Sequence, residues 1–324
     1  MTTPTGRQFL VRMALLSFSI VPHLFAQKSQ APVLRVATVK ILPMPEDVSY
    51  PGLFVGSTNA LAFVDFKDTS LYRGDAVGKW STPWKKTGGG PGEIRTYGGM
   101  HFAKDGTLWI NDRGNSRLTS RATDETAKTE ITPAVTIGRF VPTTLGFIAV
   151  PNDVSKMALV LGHDAKLVRD LPLPPDIAAL HPMTRERYIA RVNDSLTVIQ
   201  FRWLNRRIAI TNDGRTSYDS ITPTEPPSLL QRKFDGGTAT YVDPKARPYA
   251  VNIASRGDTL LILLGSTEDA QNGRKIVRVY GPTGRTIDTL QLPVAISEIA
   301  ATRTGVFGLG ETDSGFVMYQ IAWK

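Results

Sequence analysis

Three of the four histidines, those beyond the N-terminal 26 residues, with a scatter of carboxylates and a set of arginines and aromatics, hold most of the chemical potential of this 324-residue chain. His101, His163 and His181 lie far apart in the sequence, with no His-x-His or His-x-x-x-His spacing to form a local metal pair. The acids Asp65, Asp112, Asp153, Glu186 and Glu298 could meet only if the fold carried them to a common axis. Calcium is the ion such a cluster would take, yet no calcium-loop motif accompanies it. With no cysteine, thiol nucleophiles, disulfides, iron–sulfur clusters and Cys-ligated zinc are excluded. A Gly-x-Ser-x-Gly elbow is also missing, and Gly88-Gly89-Gly90 lacks the following Lys-Ser/Thr of a phosphate loop. Local spacing therefore favours binding over catalysis, and the enzymatic alternative rests on what converges at the centre of the fold.

The elements that position these groups begin after an N-terminal address. Arg7 and Arg12 precede an apolar run from Met13 to Phe25, which ends on small Ala26 before Gln27-Lys28. This is the layout of a secretory leader, residues 1–26, cut after Ala26. At about 13 residues the run is shorter than the roughly 20 needed to cross a bilayer. The mature chain, 27–324, is expected as one domain in the periplasm or outside the cell, acting as a monomer with no transmembrane segment. Loss of Arg7 and Arg12 lowers the net charge from +9 to +7, which biases encounters toward anions. Lys and Arg are scattered in ones and twos, which argues against nucleic acid as a partner.

Beyond residue 32 the apolar stretches are short, rich in Val, Ile, Leu, Phe and Tyr, and punctuated by Gly, Asp, Asn or Pro. Such punctuation predicts strands and turns, and no stretch keeps helical periodicity over three turns. Residues 62–71 align with 109–118 when Asp65 is set on Asp112, which places Asp68 on Asn115 and Leu71 on Leu118. The same cycle recurs every 40 to 50 residues or so, about four strands at a time, in the range of propeller blades. The groups begin near Gly52, Gly99, Thr144, Arg187, Arg247 and Ile296. The last shows three strands, and an orphan strand at Val33–Leu42 would complete it and close the ring. The expected fold is an all-β, six-bladed propeller with about four antiparallel strands per blade.

One segment carries a family resemblance. Gly88-Gly89-Gly90-Pro91-Gly92-Glu93-Ile94, the hairpin signal Asp105-Gly106, and Asp112-Arg113-Gly114-Asn115-Ser116-Arg117-Leu118 together resemble the NHL-type repeat of six-bladed β-propellers. The match spans about 31 residues and is degenerate elsewhere. Some propellers of this general type are lyases, lactonases or calcium-dependent esterases, which keeps a channel-centred metal-dependent hydrolase or lyase as the alternative function. The glycines and the Asp-Asn turn read chiefly as scaffold.

With four antiparallel strands per blade, the second-to-third strand loops and the blade-to-blade crossovers share one face of the disc. That face gathers the candidate ligand-binding residues Arg95, Tyr97, Arg113, Arg202, Trp203, Arg232 and Tyr241, with Lys85, Lys86 and Asn205 beside them. The crossover 223–248 reads as a long irregular insertion on the same face and a candidate lid. The function expected is that of an exported binding or scaffolding propeller for a protein, peptide or glycan of the cell envelope.

Overall fold

Short apolar runs bounded by turn residues dictate the strands. In Leu61-Ala62-Phe63-Val64, and again in Leu260-Leu261-Ile262-Leu263, four successive apolar side chains are buried, as befits strands covered on both faces. Turn residues end each run: Gly106 has φ +83° in the Asp105-Gly106 hairpin, and its N–H donates to the Ala103 carbonyl (3.1 Å). The computed structural model describes residues 33–122, 127–265 and 274–323. The expected leader, 1–26, and most of the loop from Asp269 to Arg274 lie outside the described residues.

Among the described residues six blade sheets, antiparallel apart from one parallel strand added at the edge of the fifth, follow one another along the chain. The first blade is Pro51–Gly56, Ala60–Asp65 and Ser70–Asp75. Its outer position is held by single bridges from Gly74 to Trp80 and Leu71 to Trp84, where the sequence suggested a full strand. The second blade is Tyr97–Phe102, Leu108–Asp112, Arg117–Arg121 and Ala127–Ile131. The third, Ile137–Thr143, Gly146–Pro151, Lys156–Leu161 and Leu167–Pro172, starts earlier than its apolar pattern implied. Pro175–Ala178 and Pro182–Thr184 are short helical turns leading to the fourth blade, Arg187–Arg191, Leu196–Phe201, Arg206–Thr211 and Thr216–Ile221. The fifth is Ala250–Arg256, Thr259–Leu264, Ile276–Tyr280 and Thr286–Gln291; the sixth is Glu298–Ala301, Val306–Thr312 and Gly315–Ala322.

The N-terminal strand closes the ring in two steps. Val33–Val36 lies parallel to Thr286–Gln291 on the outer edge of the fifth blade, and Thr38–Leu42 then pairs antiparallel with Gly315–Ala322 as the missing fourth strand of the sixth. Ala37, between them, is buried and its N–H donates to the Gln291 carbonyl (2.9 Å).

Among the described residues the core is six apolar clusters, one at each interface between neighbouring blades. The cluster between the sixth and first blades packs Phe307 and Leu309 against Phe54, Leu61 and Phe63. Each fully buried side chain of this size contributes roughly 1.5–3 kcal/mol. No blade buries both its faces alone, so the interfaces stabilise only as a closed set.

The crossover 223–248 departs from the irregular loop expected of it. Leu229–Phe234 and Gly237–Val242 form an antiparallel hairpin around Asp235-Gly236, and among the described residues neither strand joins another sheet.

Candidate functional site

Six inner strands, one per blade, surround a central cavity of about 340 Å³. Four of them carry a register shift near the crossover face: between Gly52 and Val55, Tyr97 and Gly99, Ile137 and Arg139, and Ala250 and Asn252. Such bulges re-aim side chains and backbone groups. In the first blade the bulge holds Leu53 at φ +53°, and the amides of Leu53 and Phe54 donate to the Glu298 carboxylate of the sixth blade (3.2 and 2.6 Å). Burial raises the Glu298 carboxyl, against the lowering effect of those two amides and of Arg139.

Arg139 follows the bulge of the third blade, and its side chain lines the cavity. Its guanidinium lies over the Tyr188 ring (4.2 Å to the centroid), donates to the Arg187 carbonyl (3.0 Å) and sits 3.5 Å from Glu186 Oε1. Arg202 approaches the same carboxylate from the other side, with Nη1 2.8 Å from Oε2 and its guanidinium 5.1 Å from the Trp203 centroid. Backbone bonds fix this turn: Arg202 N–H donates to the Glu186 carbonyl (2.8 Å), and Ala250 N–H to the Arg202 carbonyl (2.9 Å). Two cations therefore share the Glu186 carboxylate at the mouth of the channel, each with an aromatic ring beside it. The pairs are part-exposed, so each ion pair is worth about 1 kcal/mol or less to stability.

Deeper in the same cavity, His101 Nδ1–H donates to the Phe102 carbonyl (3.1 Å), which leaves Nε2 as the lone-pair nitrogen of a neutral ring. Burial pushes the imidazole down to about 4; the Phe102 carbonyl opposes this and Arg191 adds to it. Among the described residues no three His, Asp or Glu side chains lie close enough to hold a metal ion.

The seven candidate ligand-binding residues fall in three places. Arg202 lines the channel, and half-buried Trp203 supports it. Arg95, Tyr97 and Arg113 belong to the repeat turn of the second blade: Tyr97 is buried, while the exposed arginines lay their stems over glycines. A Cβ at Gly114 would lie 2.7 Å from Arg95 Cβ, and one at Gly98 would lie 2.2 Å from Arg113 Cγ. Arg232 and Tyr241 share one face of the hairpin, since the cross-strand pairs Leu230–Tyr241, Arg232–Ala239 and Phe234–Gly237 alternate with those of the opposite face. Lys85 pairs with Asp68 (2.8 Å), and buried Asn205 accepts from Arg207 (2.7 Å).

The repeat acids are structural. Asp112 Oδ1 accepts from the amides of Arg95 (3.1 Å), Thr96 (3.2 Å) and Asn115 (3.3 Å), and Asp65 accepts in the same way from Ser49, Tyr50 and Lys67. Asp153 caps Ser155 at an exposed turn. Of the five acids considered for an axial cluster, Glu298 lines the channel and Glu186 sits at its mouth between Arg139 and Arg202. Sequence reasoning missed Arg139 and Tyr188, which sit on inner strands rather than in loops.

No family model and no curated protein sequence matches the chain. Among the described residues no helix is long and apolar enough to cross a membrane. Solved structures do resemble it. A streptogramin B lyase aligns over 89% of this chain and 98% of its own, at 13% identity and a TM-score of 0.55. A Bacteroides fragilis protein named as exported aligns over 89% and 96%, at 9% identity and a TM-score of 0.59. The β-propeller domain of Swd1 from Myceliophteria thermophila aligns over 87% and 99%, at 10% identity and a TM-score of 0.50. At such identities the likeness is one of fold alone: the chain is a six-bladed β-propeller.

Proposed function

We propose that this protein is an exported binding propeller that takes a carboxylate-bearing ligand, a protein or peptide segment or an acidic glycan, at the crossover-face mouth of its channel. The observation that carries this reading is the pair Arg139 and Arg202, aimed at one carboxylate from two blades with guanidinium faces against Tyr188 and Trp203. A guanidinium offers its remaining donors as a planar fork matched to a carboxylate, and the adjacent ring favours the cation while excluding water. The Asp-centred turn of the second blade supports an NHL-type repeat, and the leader pattern supports export. The test is an immobilised panel of acidic peptides and uronate-containing glycans, each with a neutral amide or reduced counterpart. Wild type is expected to retain acidic members, and an Arg139→Ala/Arg202→Ala variant to lose them at least tenfold. Equal retention of acidic and neutral members sinks the reading.

A second reading, a channel-centred lyase or hydrolase, is favoured by one observation: His101 presents a neutral ring to the same cavity. A neutral imidazole can take a proton from a bound substrate. Turnover of a panel ligand that His101→Gln abolishes while binding persists would select this reading.

A further inference from the structure

The hairpin is the one group of strands among the described residues that belongs to no blade. Isolated two-stranded hairpins are marginal in water and present unpaired edges. This one is exposed over most of its length, including Phe234 at 58% and Leu230 at 38%. Its strands carry Arg232 and Lys233 and no acid; Asp235 sits in the turn.

Its position links it to the channel mouth. Arg139 and Glu186 also border a second cavity, of about 250 Å³, between the third and fourth blades, together with Pro182, Met183 and Arg185. The hairpin strand Gly237–Val242 runs beside Pro182–Thr184. A continuous track therefore leads from the channel mouth, over the 182–186 crossover, to an open sheet edge. Each stage along it carries cations: Arg139 and Arg202, then Arg185, then Arg232 and Lys233.

We infer that the ligand is an extended acidic peptide, seated by a carboxylate at Arg139 and Arg202 and continued outward as a third strand on the hairpin. This rests on the proposed carboxylate site and adds to it the class of ligand. A linear polymer suits a linear track, and an unpaired edge supplies main-chain bonds that only a polypeptide reciprocates. In a hairpin with a two-residue turn, Phe234–Gly237 is a hydrogen-bonded pair, and pairing alternates from there. The N–H groups of Leu229, Gln231 and Lys233 thus point outward on one edge, and those of Thr238, Thr240 and Val242 on the other.

The experiment selects binders from a phage-displayed random dodecapeptide library on the full chain, then measures the enriched synthetic peptides by fluorescence anisotropy. Enriched peptides are expected to contain Asp or Glu, and backbone N-methylation at alternate positions should weaken them at least tenfold. Gln231→Pro and Thr240→Pro each delete one outward N–H, on opposite edges, while leaving the inner ladder intact; the variant on the free edge should bind like wild type, and the one on the edge that the peptide joins should weaken binding at least tenfold at unchanged Tm. A replacement of 228–243 by a short Gly-Ser linker provides a second variant with the same expectation. Absence of enrichment, or peptides that bind unchanged when N-methylated and to both proline variants, overturns the inference. If small acidic glycans still bind wild type and lose affinity in Arg139→Ala/Arg202→Ala, the carboxylate site survives and only the hairpin's role fails.

Discussion

At the residue scale, the informative side chains are those whose surroundings decide their role. Asp112 is fully buried and accepts three backbone N–H groups as well as the Asn115 amide (2.6 Å). Removing the carboxylate strands these donors, so Asp112→Ala is expected to cost about 2–4 kcal/mol in urea unfolding, and Asp112→Asn less. The sequence made this residue legible through its Asp-x-Gly-Asn-x-Arg context, because turn chemistry is local. Arg139 was not legible: it follows Gly138 in a strand that also contains Pro142, a composition that hides a strand, and a bulge decides where its side chain points. His101 gives a pH signature. The folded ring titrates at about 4, whereas an unfolded histidine titrates near 6.5. Between those values the unfolded chain holds a proton that the folded chain does not, so stability falls as pH drops from about 6.5 to 4 and the loss is complete below that. The contribution is about 3 kcal/mol, accumulated at up to about 1.4 kcal/mol per pH unit. Glu298, raised by burial, contributes with the opposite sign, so the comparison that isolates His101 is wild type against His101→Gln. A pH slope between 6 and 4.5 that is the same in both proteins would refute it.

At the element scale, the blade is a unit of sequence but not of stability. Strand and turn punctuation exposed most blades from the sequence, since alternation of apolar runs and turn residues is set by each blade alone. What escaped was the pairing of elements distant in sequence. The strand read as Val33–Leu42 divides between two blades, and 223–248 forms a hairpin because Asp235-Gly236 supplies its turn. Interfaces between blades hold the core, so a single large truncation there should act on the whole ring. Phe307, fully buried between the sixth and first blades, is expected to cost about 3–5 kcal/mol as Phe307→Ala. Unfolding should stay a single transition followed equally by tryptophan fluorescence and circular dichroism; two separated transitions would show that the blades melt independently.

At the scale of the whole molecule, closure and charge act together. Thr38–Leu42 pairs with the last strand of the chain, and Ala37 and Leu42 are buried. Deletion through residue 42 is expected to expose the sixth blade's edge and to lower Tm by more than 10 °C or cause aggregation, whereas deletion through residue 31 should leave Tm within about 2 °C. A truncation through 42 that remained monomeric with wild-type Tm would contradict the latch. The net positive charge has a separate effect: association with an acidic ligand should slow as ionic strength rises from 50 to 500 mM or so, since screening shortens the reach of the channel-mouth cations.

The division of the first strand between the fifth and sixth blades also sets an order of events during biosynthesis. Residues 33–42 leave the ribosome before any blade exists, yet their partners at 286–291 and 315–322 are made last. Until those arrive, the early segment has no place to dock, and the first blade keeps the face that meets the sixth uncovered. The circle can be completed only in one late step that joins the two most widely separated parts of the domain. Anything that binds the early segment in the meantime, a chaperone or an export factor, holds the whole molecule open by occupying ten residues.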